Sequence, residues 1–250
     1  MSSVQPCLSG KRCLVTGGSR GLGLAIAKAF ARNGAKVAFT YSKRDADAEK
    51  AADELRSLGA EPHVFKGSVA DSAHVRATMT ALEAAWGGLD VLVNNAGVSQ
   101  ILPIALLEER DWDETMGVNV KGAYLFARGA LKGMIRQRSG VILNIGSFAS
   151  ERIVDAPVHY AASKSALRGF TEALSREVGR YGIRVNLVAP GLLDVGLGRN
   201  LPRHRIDEYL EQNPLGRVGT ADEVAETLVW FASDDAAFVT GARVAVDGGL

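Results

Sequence analysis

Short apolar runs alternate with amphipathic stretches along the whole chain. Seven runs read as strands: 11–16, 35–41, 62–66, 89–93, 141–145, 183–188 and 243–246. Between them the pattern predicts helices. An alanine-rich one extends to about Asn33, where Gly34 ends it as a C-cap residue does. Others cover 45–58, the stretch from the candidate N-cap Asp71 to Trp86, about 108–137, the region of Tyr160, and about 221–232. Residues 192–213 show little strand character and lie beyond a strand's carboxyl end, so they read as a lid. No linker, repeat or low-complexity tract interrupts the alternation. The expectation is α/β: a doubly wound parallel sheet of about seven strands, helices on both faces, in a single domain over 1–250.

The first strand runs into Gly17-Gly18-Ser19-Arg20-Gly21-Leu22-Gly23. A strand, a glycine turn and a helix start bring backbone N–H groups and the positive helix end against a phosphate. Glycine lets a pyrophosphate approach where a side chain would block it. The second strand decides which dinucleotide. An acid at its end binds the adenosine ribose hydroxyls, whereas this chain has Tyr41-Ser42-Lys43-Arg44, with Arg20 in the glycine turn. Cations and a hydroxyl suit a 2′-phosphate, which points to NADP(H). Asp45 and Asp47 come too late to be the usual ribose acid.

Composition narrows the classes. A net charge of +1 with mixed signs gives no reason to propose nucleic acid or an anionic membrane. No apolar run approaches the roughly 18–20 residues that cross a bilayer, and residues 1–12 lack the apolar core of a signal peptide. Cys7 and Cys13 form neither a metal spacing nor a disulfide framework and read as reduced thiols. A cytoplasmic location is expected, or an organelle matrix. His63 and His74 have no ligand partners at metal spacing, so no metal is expected.

The candidate chemistry centres on Tyr160 and Lys164, four apart and so on one helix face. A nearby ammonium favours a phenolate and is expected to lower the tyrosine's pKa from about 10. Such a tyrosine exchanges protons during a reaction. Ser147 follows an apolar strand, at the end where open α/β sheets bind ligands. Asn119 falls inside a predicted helix, where asparagine is unfavourable by propensity and invites a reason.

These matches fall in one order: 16–23, Asn94-Asn95-Ala96-Gly97, Asn119, Ser147, Tyr160-x-x-x-Lys164 and Pro190-Gly191. Over essentially the whole chain this resembles the short-chain dehydrogenase/reductase family, whose fold is of the Rossmann type. Within it, Asn186-Leu187-Val188-Ala189-Pro190-Gly191, Pro214-Leu215-Gly216-Arg217, Glu223-Val224-Ala225 and Val246-Asp247-Gly248-Gly249 resemble the 3-oxoacyl-[acyl-carrier-protein] reductases. Many alcohol dehydrogenases of the family share these later motifs. The resemblance implies an NADPH-dependent ketoreductase acting on a β-ketoacyl thioester. The alternative is a carbonyl reductase or secondary-alcohol dehydrogenase for a free small molecule. It makes Tyr160 the general acid, Ser147 the group that orients the carbonyl oxygen, Lys164 the holder of the nicotinamide ribose and Asn119 the support of a water chain.

The resemblance also implies cofactor contacts from Gly17, Ser19, Arg20, Gly21, Leu22, Gly23, Tyr41, Ser42, Lys43, Ser68, Val69, Asn95, Ala96, Gly97, Tyr160, Lys164, Pro190, Gly191 and Leu193. An acyl carrier protein, being acidic, needs exposed cations near the entrance, and Arg136, Arg138 and Arg180 are the candidates. A homotetramer built through the Asn119 and Tyr160 helices and the last strand is expected. The chain departs from the family in three places. Ser68 replaces an aspartate that binds adenine. Val195 stands where a threonine often contacts the nicotinamide carboxamide. Residues 148–159 are bulkier and more charged than usual and should line the substrate entrance, which argues for a different or narrower substrate.

Overall fold

The computed structural model describes residues 7–152, 155–196 and 201–250. Residues 153–154 of the entrance stretch and 197–200 of the lid stretch lie outside the described residues. The seven strands are β1 (Arg12–Val15), β2 (Lys36–Tyr41), β3 (His63–Lys66), β4 (Val91–Asn94), β5 (Gly140–Ile145), β6 (Ile183–Pro190) and β7 (Arg243–Val246). They form one sheet in the order β3-β2-β1-β4-β5-β6-β7, and every pairing is parallel.

Strand periodicity explains the two layers of helices. Successive side chains point to opposite faces, and here both faces are apolar. On one face Cys13, Val15, Phe39, Val93 and Leu143 pack with α1 (Gly21–Arg32), α2 (Asp45–Ser57) and α8 (Ala221–Ala232). On the other, Leu14, Leu92, Ile142 and Val185 pack with α3 (Ser72–Trp86), α5 (Gly122–Gln137) and α6 (Val158–Val178). A parallel sheet covered on both sides needs this continuous apolarity. The predicted caps form: Asp71 accepts from the Ala73 N–H at 2.8 Å at the start of α3, and Gly34 takes φ 83° just past α1.

Two predicted segments differ. The stretch expected as one helix over 108–137 is α4 (Glu109–Met116), a π-helical turn at Gly117–Lys121, then α5. The wide turn rotates Asn119 inward, so a residue of low helix propensity is fully buried. The lid stretch also contains a helix, α7 (Arg203–Gln212). Its sequence is polar on nearly every side, which hid it from a search for apolar periodicity.

The chain leaves β1 toward β2 and β3 on one side, then returns for β4 on the other. The carboxyl edge between β1 and β4 is therefore the crevice where open α/β sheets take ligands. At the opposite edge Arg12 closes the same two strands. It donates to Asp90 from Nε at 2.8 Å and from Nη2 at 2.6 Å.

Candidate active site

The glycine turn is built as a cradle. Gly17 and Gly21 have φ 67° and 55°, the left-handed region that side chains avoid. A Cβ on Gly18 would meet Phe39 at 2.5 Å, so β2 forces that glycine. Thr16, which opens the glycine motif but was given no role of its own, organises the neighbouring loop. Its Oγ1 accepts the N–H groups of Asn95 and Ala96, both at 3.0 Å. Asn95 Nδ2 donates to the Thr16 carbonyl at 2.9 Å and the Gly17 carbonyl at 3.2 Å. Asn95 thus sets the turn's shape from behind.

Helix α1 has Arg20 at its N-cap, with no side-chain cap bond and no acid in its first turn. Its first N–H groups and their partial positive charge are left for an anion. These residues fit a dinucleotide pyrophosphate. Arg20 is exposed and has no ion pair among the described residues. Ser42 and Lys43 are also exposed, Lys43 only loosely facing Glu114 at 3.9 Å. The Tyr41 hydroxyl donates to Asp45 at 2.8 Å. Lys66, unnoticed in the sequence, pairs with the same carboxylate at 2.7 Å. Asp45 therefore reaches the end of β2 after all, but with its charge balanced. Ser68 is exposed and accepts from the Ala70 N–H at 3.3 Å, while Val69 is buried. Leu193 forms a parallel bridge with Gly219, and Gly191 donates to Val246 at 2.9 Å.

Across the crevice, the four candidate catalytic residues come together. Ser147 lies two residues past β5 and is buried; its Oγ accepts from the Ala149 N–H at 3.2 Å, and it is near enough to the Tyr160 hydroxyl to favour its ionised form. Lys164 Nζ lies 5.7 Å over the Tyr160 ring and donates to the Ile145 carbonyl at 2.8 Å. Asn119 is held on all sides. Its Oδ1 accepts from the Val98 N–H at 2.8 Å, and its Nδ2 donates to the Val98 carbonyl and to Ser163 Oγ. Gly97 faces this cluster: a Cβ there would lie 3.5 Å from Asn119 Oδ1 and 3.6 Å from Lys164 Nζ. Beneath it runs a buried polar ladder, from Asn94 Nδ2 to Asn144 at 2.8 Å and from Asn144 Nδ2 to Thr171 at 2.9 Å. It joins β4, β5 and α6, and nothing in the sequence patterning marked it.

The electrostatics correct one expectation. Burial pushes the Tyr160 hydroxyl up from 10, and the nearby Ser147 hydroxyl only partly opposes this. Burial also pulls Lys164 down to about 8. Desolvation of both groups outweighs their attraction across the ring. Tyr160 is therefore a protonated phenol at neutral pH, poised to give a proton rather than to lose one beforehand.

A second correction concerns Arg136, Arg138 and Arg180. They precede β5 and β6 and so stand at the sheet's amino edge, whereas Ser147 and Tyr160 stand at its carboxyl edge. Within one chain they do not flank the entrance. Arg136 pairs with Glu83 at 2.7 Å, Arg138 donates to the Arg180 carbonyl at 3.0 Å, and Arg180 stacks over Tyr181. Among the described residues no cluster could hold a metal ion, and no helix is long and apolar enough to cross a membrane.

Comparison with known proteins places the geometry. The family profile described as enoyl-(acyl carrier protein) reductase matches residues 17–250. The 3-oxoacyl-[acyl-carrier-protein] reductase of Pseudomonas aeruginosa is 40% identical over 243 residues, covering 97% of this chain and 98% of that one. Among solved structures, a gluconate 5-dehydrogenase from Burkholderia cenocepacia in complex with NADP and tartrate superposes with a TM-score of 0.92. It is 35% identical and covers 98% of this chain and 97% of its own. A Serratia marcescens short-chain dehydrogenase/reductase variant reaches 0.90 at 34% identity, covering 97% of this chain and 98% of its own. With the glycine cradle, the buried lysine and the tyrosine–serine pair in one crevice, the chain belongs to the short-chain dehydrogenase/reductase family and is an oxidoreductase that uses a nicotinamide cofactor.

Proposed function

We propose that the protein is an NADPH-dependent ketoreductase that reduces a β-ketoacyl thioester to the 3-hydroxyacyl product. The observation that carries the reaction is buried Lys164, anchored on the Ile145 carbonyl with its Nζ 5.7 Å over the Tyr160 ring, and buried Ser147 in the same crevice. The identity to a 3-oxoacyl-[acyl-carrier-protein] reductase over nearly the whole chain supports the substrate.

Bound nicotinamide supplies the hydride. Ser147 hydrogen-bonds the substrate's carbonyl oxygen and orients it. Tyr160 gives that oxygen its phenolic proton, and its raised pKa keeps the proton available at neutral pH. Lys164 would hold the nicotinamide ribose, and it keeps a positive charge next to the developing phenolate. Asn119 fixes Val98 and Ser163 around the cluster and supports the water chain that returns the proton. Arg20, Ser42 and Lys43 would hold the 2′-phosphate, while Gly17, Ser19, Gly21, Leu22 and Gly23 would cradle the pyrophosphate. Ser68 and Val69 would meet the adenine. Asn95, Ala96 and Gly97 would support the adenosine side, and Pro190, Gly191 and Leu193 would meet the nicotinamide. Trp112, Tyr124 and Val158 leave apolar surface exposed on α4, α5 and α6, which a homotetramer would cover.

A second reading is favoured by the entrance itself. Glu151 pairs with Arg243 at 3.3 Å, and Asp155 pairs with Arg205. A charged rim suits a small polar ketone or alcohol, and one structural neighbour is named gluconate 5-dehydrogenase. A substrate panel separates the two. An acetoacetyl thioester is expected to exceed every free ketone and alcohol at least about tenfold in kcat/KM; a free ketone in first place replaces the first reading with the second. With NADPH and NADH compared in the same panel, Arg20→Ala is expected to cut the NADPH preference about tenfold, the value of one charge-assisted phosphate contact. An unchanged preference would remove Arg20 from the 2′-phosphate site.

The pH profile checks the proton assignments. Free-enzyme kcat/KM for reduction should be flat near neutrality and fall above about pH 8, as Lys164 loses its charge. A profile that keeps rising to about pH 9 would contradict the role given to its ammonium.

A further inference from the structure

Helix α7 crosses the carboxyl edge of the sheet beside the site, yet Tyr209 is the one buried residue on it. The hydroxyl of that tyrosine is a junction. It donates to the Asp247 carbonyl at 3.0 Å and accepts from the Leu192 N–H at 3.2 Å and from Asn213 Nδ2 at 3.0 Å. Asn213 Nδ2 also reaches the Asp247 carbonyl, at 2.7 Å. Leu192 opens the lid stretch, Asn213 closes it, and Asp247 follows β7. One hydroxyl therefore ties both ends of the lid to the sheet. Gly191 is needed for this, since a Cβ there would collide with the hydroxyl.

The ring has a second contact. It packs edge-on against Phe148, centroids 5.6 Å apart, and Phe148 directly follows Ser147. Arg205, one turn earlier on α7, adds its ion pair to Asp155 on the entrance stretch. The lid helix and the entrance stretch thus meet at two places, and both connect to the body through Tyr209. Hydrogen bonds that converge on one buried oxygen hold their partners in fixed geometry.

We infer that Tyr209 is a positioning residue: it seats the lid helix and, through Phe148, sets the substrate wall next to Ser147. The inference rests on the catalytic reading of Ser147 and Tyr160, which supplies the substrate whose wall is meant. Its consequence is a division of labour. Loss of the hydroxyl loosens the wall and the lid while leaving the proton donor in place, so binding weakens more than chemistry.

The test uses the full-length enzyme with Tyr209→Phe, which keeps the ring contact and removes the junction, and Tyr209→Ala, which removes both. Tyr209→Phe should raise KM for the carbonyl substrate about tenfold with kcat within about threefold, and Tyr209→Ala should raise it further. Limited trypsin digestion, read by mass spectrometry, should cut at Arg203 and Arg205 about tenfold faster in Tyr209→Phe, because a released α7 is a local opening. An unchanged KM together with unchanged cleavage overturns the inference, and so does a loss confined to kcat. If the parent reduces no carbonyl, the catalytic reading fails by itself, while the cleavage rates still decide whether Tyr209 seats α7.

Discussion

A Tyr160→Phe variant is expected to bind NADPH within about threefold of the parent and to lose about 10³-fold or more in kcat, the scale of a positioned proton donor. The substitution keeps the ring under Lys164 Nζ and the packing of α6, so the site keeps its shape. What disappears is one proton at one atom. Burial holds Tyr160 above its ordinary pKa, so at neutral pH the proton is present in essentially every molecule before the reaction begins. Ser147 keeps its hold on the Ala149 N–H in the variant, so the carbonyl oxygen is still oriented. Water is then the only proton source, and it is not positioned. Fluorescence titration with NADPH and steady-state turnover on the same preparations read the two quantities separately. Turnover near the parent value would end the assignment of Tyr160 as acid, whichever carbonyl the enzyme prefers.

How much of this was legible beforehand follows from the kind of signal each residue leaves. The sheet was readable because strands buried on both faces leave short runs of consecutive apolar residues, as at 91–93 and 141–143. Tyr160, Ser147, Lys164 and Asn119 were readable because helical spacing and strand ends fix where such residues stand. The π-turn was not, since it changes only backbone hydrogen bonds; Asn119's poor helix propensity was its single trace. Thr16, Asn144 and Lys66 act through partners far along the chain, and pairing at that range leaves no local pattern. Helix α7 was missed because one buried tyrosine makes no stripe. The sign of the Tyr160 shift was misjudged because spacing reports the distance to a charge and says nothing of the water removed from both groups.

The same desolvation makes Lys164 the residue whose removal should separate stability from activity most sharply. An ammonium whose pKa falls from 10.5 to about 8 has cost about 3 kcal/mol of stability at neutral pH. Lys164→Met keeps the length of the side chain and drops the charge. It also abandons the Ile145 carbonyl, whose lost partner costs about 1–3 kcal/mol, so at pH 7 the net gain is small or nil. The pH dependence is free of that ambiguity. Below pH 8 the lysine is charged in both the folded and unfolded chain, and the full penalty applies. Between about 8 and 10.5 the folded lysine is neutral while the unfolded one still binds its proton, so the parent gains stability as pH rises and the methionine variant does not. The difference between the two should move by about 1 kcal/mol in the parent's favour from pH 7 to pH 9, read from urea unfolding at each pH. Turnover of Lys164→Met should fall by at least about 10²-fold, because both the ribose contact and the charge beside the phenol are gone. A stability difference independent of pH would mean that water reaches Nζ. The buried cation could then no longer be the reason Tyr160 and Lys164 are held together at a standing cost to the fold.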